Sequence, residues 1–225
     1  EFFQPQVCAH TPKLEMHKRR VPMEEKMSET EILFDLLREG VSPAHAVASC
    51  GRRLKEAGFE KINYEEIWNL KEGGKYYVNH HDTTLFAFTL PEKKEQLETE
   101  KKAPVIRIAA AHTDFPCLRI KPSADIRTNS YAQVNVEVYG GAILNTWLDR
   151  PLGIAGRVAV RSENPFVPEI KLFSSDKNLL TIPNLAIHMN REVNEGYKYN
   201  VQDDMLPVLG DETAKGSFLR MVAEN

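Results

Sequence analysis

Residues 105–114, Val-Ile-Arg-Ile-Ala-Ala-Ala-His-Thr-Asp, constrain the fold more than any other stretch of this sequence. An apolar run broken only by Arg107 ends in a histidine and an aspartate two positions apart. Such runs suit a strand buried on both faces, as in a parallel sheet covered by helices. The pattern therefore predicts a buried strand over 105–111. Ligands of open α/β sheets gather beyond the carboxyl ends of the strands, where His112 and Asp114 would stand. Side chains at i and i+2 of an extended segment project to the same side, so Asp114 can either share a ligand with His112 or fix its imidazole. A metal-bound histidine commonly donates its second ring N–H to a carboxylate or carbonyl, which sets tautomer and orientation. The other reading of the same residues is a hydrogen-bonded pair that closes a turn, with Thr113 and Asp114 capping the next segment. Spacing alone leaves both open.

At 225 residues the chain can form one large or two modest domains, each with its own core. Apolar residues at 42% and charged residues at 27% describe a soluble globular protein. The net charge of −3 supplies no bulk attraction to nucleic acid or to an anionic membrane, so neither is an expected partner. The cluster Lys18-Arg19-Arg20 lies in an unpatterned stretch and reads as a solvated tail. Cys8, Cys50 and Cys117 are odd in number, widely spaced and without a C-x-x-C, which argues against a disulfide framework or a cysteine zinc knuckle and for a reducing compartment. No segment approaches ~18 consecutive apolar residues, and no secretory leader is recognisable at the N-terminus. A cytoplasmic protein is expected.

Residues 1–27 lack any period and read as an N-terminal extension, and its opening Glu1-Phe2-Phe3-Gln4-Pro5 is given no structural meaning. From Ser28, Ile32, Leu33, Leu36 and Leu37 follow helical spacing until Gly40. Ser42-Pro43 then offers an N-cap with proline at the first helical position, and the second helix runs to Gly58. Tyr64–Trp68 suits a short helical turn, and Gly73-Gly74 a break. Tyr76–Val78 and Leu85–Leu90 read as strands joined through Asn79-His80-His81-Asp82. The adjacent histidines there fit an exposed polar loop better than a metal site, because neighbouring strand positions face opposite ways. Residues 91–104 read as a charged surface loop. After Asp114 the character changes to short β-branched or alternating segments, at Leu118–Ile120, Val134–Tyr139, Gly156–Val160, Ile170–Leu172 and Leu206–Leu209, punctuated by Pro, Gly, Asn and Ser. This predicts a small barrel or sandwich. A helical pattern begins at Thr213.

Five strings in order resemble the M18 family of metallo-aminopeptidases, the aspartyl aminopeptidase group. They are Ser42-Pro43-x-His45-Ala46-Val47; Ala111-His112-Thr113-Asp114-x-Pro116; Val136-Glu137-Val138-Tyr139-Gly140-Gly141; Thr146-Trp147-Leu148-Asp149-Arg150-Pro151-Leu152 with Ala155-Gly156-Arg157-Val158; and Ile182-Pro183-x-Leu185-Ala186-Ile187-His188. The resemblance runs from about Ser28 to the C-terminus. It implies an α/β fold, with part of a zinc-exopeptidase-type α/β/α core at 28–116 and an inserted β-rich dimerisation domain at 117–225. It further implies two zinc ions, peptide substrates trimmed at their N-termini, and a homo-oligomer built from dimers, up to a dodecamer. His112 matches the first zinc ligand and Asp114 the acid that orients it. His188 matches a histidine that reaches into the neighbouring subunit's active site to hold substrate or the oxyanion; read without the family, it is a histidine in an exposed β-segment. The string Trp147–Arg150 belongs to the inserted domain and reads as structural, with Trp147 packing, Asp149 and Arg150 in a turn or across an interface, and Gly156 allowing close approach. Gly140-Gly141 marks a bulge or turn, since no P-loop string is present.

The sequence departs from the family pattern in its length. A co-catalytic zinc pair needs a bridging carboxylate, terminal His and Asp/Glu ligands and a glutamate base. In the family these follow the insertion, whereas here the sequence stops within it. Glu65-Glu66 lies upstream and reads as surface charge. The expectation is a zinc-dependent aminopeptidase of which this chain carries part of the active site and is inactive alone; the alternative is a non-catalytic assembly or dimerisation fragment. A serine or cysteine hydrolase is disfavoured, with no G-x-S-x-G elbow and with Cys117 reading as a small packed residue.

Overall fold

The computed structural model of the chain describes residues 3–8, 28–92, 105–164, 166–214 and 216–224. Lys18-Arg19-Arg20 and most of the charged stretch 91–104 lie outside these residues. In chain order the elements are β1 (Phe3–Cys8), α1 (Glu29–Glu39), α2 (Pro43–Glu56), β2 (Glu60–Lys61), β3 (Lys75–His80), β4 (Thr84–Thr89), β5 (Cys117–Thr128), β6 (Tyr131–Tyr139), β7 (Gly153–Val160), β8 (Glu169–Ser174), β9 (Val208–Asp211) and α3 (Phe218–Glu224). They divide into two compact units, Asp35–Asp114 and a second made of Glu1–Phe34 with Phe115–Asn225.

Both long helices start as their sequences indicate. At α1, the Ser28 hydroxyl accepts the Glu31 N–H at 3.3 Å and the Glu31 carboxylate accepts the Ser28 N–H at 2.8 Å, a reciprocal capping box. The helix closes at Gly40, where a Cβ would stand 2.9 Å from the Leu36 carbonyl oxygen. Ser42 then caps α2, its hydroxyl accepting the His45 N–H at 3.4 Å and lying 2.7 Å from His45 Nδ1, with Pro43 at the first helical position. The Ser-Pro-x-His string is therefore a helix start whose histidine side chain closes the cap. Glu39 ties the two helices by accepting hydrogen bonds from the Ser49 hydroxyl and, at 2.7 Å, from Arg52. The Ser49 bond, helped by Arg52 and Arg53 against partial burial, holds the Glu39 carboxyl below its usual range.

In the Asp35–Asp114 unit, β2 pairs parallel and β4 antiparallel with β3, in register from Lys75 opposite Thr89 to His80 opposite Thr84. Ile62, Tyr76 and Val78 make a small core on one face with Phe88 and Leu90. On the other face α2 lies close enough that a Cβ at Gly51 would touch Leu85 and Tyr77 at 3.8 Å. His81 and Asp82 turn the β3–β4 hairpin with φ of 53° and 57°, the pair of left-handed residues that a type I′ turn uses. The adjacent histidines thus sit at a polar hairpin tip. Tyr64–Trp68 forms a turn rather than a helix, with the Trp68 indole donating to the Asn63 carbonyl at 2.8 Å.

The expected strand over 105–111 does not form. These residues are irregular and pair with no strand among the described residues, and Val105, Ile106 and Ile108 are 83, 80 and 86% exposed. Burying each such side chain is worth about 1.5–3 kcal/mol, so the sequence encodes an interior position whose neighbours the described residues do not supply. Pattern reports the environment a segment needs, and a ladder additionally needs a partner for each N–H and C=O.

The second unit is a six-stranded antiparallel sheet in the order β8-β7-β1-β5-β6-β9. Alternation builds it: Ala132, Val134 and Val136 of β6 are buried while the residues between them are not. The β5–β6 ladder shifts register between Ile120 and Asp125, around Pro122, which cannot donate to a ladder. Cys117, Leu118, Leu152, Ile154, Met205 and Phe218 are completely buried and join Trp147 in one core. Cys117 is thus the small packed residue expected. β1 is the unexpected strand: its backbone pairs with β7 from Phe3 to Cys8 and with β5 at Gln6 and Val7. A short segment with Pro5 at its centre reads poorly as a strand, so pattern alone passes it over.

Burial pushes the His45 imidazole below its usual value of 6.5. The folded chain therefore binds fewer protons there than the unfolded chain, and the stability contributed by neutral His45 is present above pH 6.5 and lost as the pH falls below it. Thermal melts of the chain should fall between pH 7 and 5, and His45→Gln should flatten that portion. An unchanged slope in the variant contradicts the assignment.

Candidate functional site

His112 and Asp114 meet as their spacing implies. His112 Nδ1 lies 2.8 Å from Asp114 Oδ1, and Thr113 between them turns the other way, its hydroxyl donating to the Thr83 carbonyl at 2.8 Å. That bond ties the segment to the tip of the β3–β4 hairpin, so the i and i+2 side chains share a side although no strand is formed. With Nδ1–H donated to the carboxylate, Nε2 keeps its lone pair and faces outward on a side chain 89% exposed. A carboxylate behind an imidazole is the arrangement that orients a metal ligand and raises its basicity.

The donor chemistry fits zinc at one position. Zinc takes three or four protein ligands, and among the described residues no group of three or more His, Cys, Asp or Glu side chains is placed to hold a metal ion. The His80 and His81 rings lie with centroids 4.2 Å apart and planes tilted by 59°, and Tyr64 packs edge-on against His80 at 5.3 Å, at the exposed turn. Glu66 accepts from the Asn63 amide at 2.8 Å on the surface, as its reading as surface charge requires.

His188 sits at an exposed turn rather than in a β-segment. The Met189 and Asn190 N–H groups donate to the Ala186 carbonyl at 2.8 and 3.2 Å, so Ile187 and His188 occupy the tip. The turn rises from a stem in which Leu180 bridges Leu152 and Thr181 bridges Val208.

The Trp147–Arg150 string is structural. Trp147 is buried in the core, and Asp149 follows it with a φ of 55°. The Asp149 N–H donates to the Ile182 carbonyl at 2.9 Å, and its Oδ1 accepts the Asn184 N–H at 2.8 Å. The sequence implies a turn at Asp149 but carries no signal of this link to the His188 segment, 35 residues away. Gly140 turns the chain after β6 with a φ of 78°, and a Cβ there would stand 3.4 Å from Pro116 Cα. Gly140-Gly141 is a backbone turn.

Residues 36–220 match the family model described as aminopeptidase I zinc metalloprotease (M18). A probable M18 family aminopeptidase 2 from Clostridium acetobutylicum is 43% identical over 204 residues, covering 89% of this chain and 46% of that protein. One from Pseudomonas paraeruginosa is 41% identical over 177 residues, covering 79% and 39%. The chain thus spans less than half the length of these curated relatives. Among solved structures, a chain of the Ape4 and Nbr1 complex superposes with a TM-score of 0.72 at 32% identity, over 80% of this chain and 34% of that one. Chaetomium thermophilum mApe1 gives 0.69 at 29% identity, over 84% and 41%. The mApe1 dodecamer of S. cerevisiae shares the fold, with a TM-score of 0.61 at 21% identity, over 86% and 43%.

The geometry at His112 makes a spectroscopic prediction. Nitrogen-15 spectra of the labelled chain at neutral pH should show the Nδ1–H tautomer dominant at His112, and Asp114→Ala should shift the ring toward the Nε2–H form that free imidazoles favour. A ring already in the Nε2–H form in the unaltered chain contradicts the carboxylate's role.

Proposed function

The chain belongs to the M18 family of zinc metallo-aminopeptidases, and we propose that it contributes one zinc ligand and one substrate-facing histidine to the removal of N-terminal residues from peptides. The observation that carries this reading is the His112 ring, held through Nδ1 by Asp114 and open at Nε2, within the Ala111-His112-Thr113-Asp114 string. His112 would hold one of two zinc ions through Nε2, and Asp114 would keep the ring aimed and electron-rich. Bound zinc polarises the scissile carbonyl and lowers the pKa of a water toward neutrality. His188, presented at its exposed turn, would reach a neighbouring subunit's site and donate a hydrogen bond to the oxyanion.

Residues 28–116 then belong to the catalytic α/β domain and 117–225 to a β-rich dimerisation domain, with β1 of the 1–27 extension completing the latter's sheet. Dimers would build a larger homo-oligomer, up to a dodecamer. Cysteine usage supports a cytoplasmic setting, and among the described residues no helix is long and apolar enough to cross a membrane. The remaining ligands and the general base would lie outside the described residues, and the chain alone would have no peptidase activity. A second reading, a non-catalytic assembly fragment, is favoured by the contrast between a well-packed β-rich unit and an oriented imidazole that, among the described residues, belongs to no group of three or more metal-ligating side chains.

Zinc titration by calorimetry tests the proposal. The chain should bind zinc weakly, far short of the ~10 kcal/mol or more that complete structural sites supply, and His112→Ala should abolish the heat. Tight stoichiometric binding that survives His112→Ala would place the ligands elsewhere.

A further inference from the structure

We propose that Asp149 is the positioning residue for His188, clamping the segment that presents it. The inference rests on His188 being the substrate-facing histidine proposed above, and deepens that reading by naming what holds it.

The clamp grips two places on one short segment. Asp149 accepts the Asn184 N–H through Oδ1 at 2.8 Å and donates its own N–H to the Ile182 carbonyl at 2.9 Å. Its own position is fixed from behind, because it follows the single-turn helix Leu144–Trp147, whose Trp147 is packed in the core. The left-handed backbone at Asp149, with a φ of 55°, is one that Asp and Asn adopt more readily than other residues with side chains. An ordinary turn residue would satisfy neither demand at once, whereas an aspartate provides both the conformation and the acceptor.

Beyond Asn184 the hold weakens. Asn184 Oδ1 accepts the Leu185 N–H at 2.9 Å, and the Ala186 carbonyl closes the turn, but both bonds are local. Among the described residues no hydrogen bond joins 185–190 to the body of the unit. Packing does not substitute, since Leu185, Ile187 and Met189 are 50, 47 and 73% exposed. Beside the stem lies a cavity of about 140 Å³, lined by Leu148, Ile182, Asn184, Asn190 and Tyr199 among others. That depression is open to solvent, so the segment beside it is not packed against the core on that side. Hydrogen bonds at the stem therefore set the aim of the tip, and the two at Asp149 are the nearest tertiary ones to His188. Only a short span separates Asn184 from His188, so slack at the stem becomes displacement of the imidazole.

The test uses the full chain, isotopically labelled, with two substitutions at one site. Asp149→Gly keeps the backbone conformation accessible and removes the acceptor; Asp149→Asn keeps both. In the glycine variant the Asn184 amide should exchange about tenfold faster, the loss expected for one net hydrogen bond. The His188 ring and the Ala186–Met189 amides should move toward averaged shifts, while protection across β5 and β6 stays as it was. Asp149→Asn should restore the His188 signature. Unchanged Asn184 exchange and His188 shifts in the glycine variant overturn the proposal, and so does a loosening spread evenly over β5 and β6. If the glycine variant does not fold, the unaltered chain decides: an Asn184 amide exchanging at the unprotected rate has no clamp. Zinc titration does not involve Asp149, so failure there unseats the proposed active-site role and leaves the clamp standing.

Discussion

The pairing of β5 with β6 is the constraint from which the second unit is built. Leu118 and Ile120 on one strand and Ala132, Val134 and Val136 on the other are buried, and a one-residue slip would turn that apolar set out to water. Every other strand adds to this pair: β1 and then β7 and β8 on one side, β9 on the other. Trp147, Leu152 and Phe218 fill the core beneath. Cys117, the first fully buried residue after Asp114, begins this ladder a few positions beyond the proposed zinc ligand. The irregular His-x-Asp segment is therefore followed in sequence by the first strand of this buried pair.

What can be read from the sequence is what local chemistry decides. The Ser42-Pro43 start, the Gly40 stop and the alternation of β6 each need only their own neighbours, and each is found as read. The hairpin at His80–Thr83 lacks glycine, yet its polar tip is legible from the apolar strands on either side. The environment of 105–111 is different in kind. Its sequence states that it should be interior but cannot state which strands lie beside it, and among the described residues none does. β1 fails in the opposite sense. Its six residues carry a proline and little alternation, and only the long-range register with Ile154 and Leu118 makes them a strand.

The site divides the same way. The His112–Asp114 bond follows from a spacing of two, because side-chain direction is local. The Asp149–Asn184 link does not, because no short-range rule connects positions 149 and 184. It joins two of the five strings that carry the family resemblance, and gives the aspartate of Trp-Leu-Asp-Arg a physical task that neither string reveals alone. His188 and His112 belong to separate compact units.

Residues 105–111 carry an interior type of sequence but pair with no strand among the described residues, while His112 beyond them is oriented by Asp114. Residue-resolved amide hydrogen exchange on the isolated chain tests this central claim most directly. The amides of Ile106, Ile108 and Ala110 should exchange near the rate of an unstructured peptide, while those of Leu118, Val134 and Val136 are strongly protected. Protection at 106–110 matching that of β5 and β6 would show the segment already paired within this chain, and would contradict the claim.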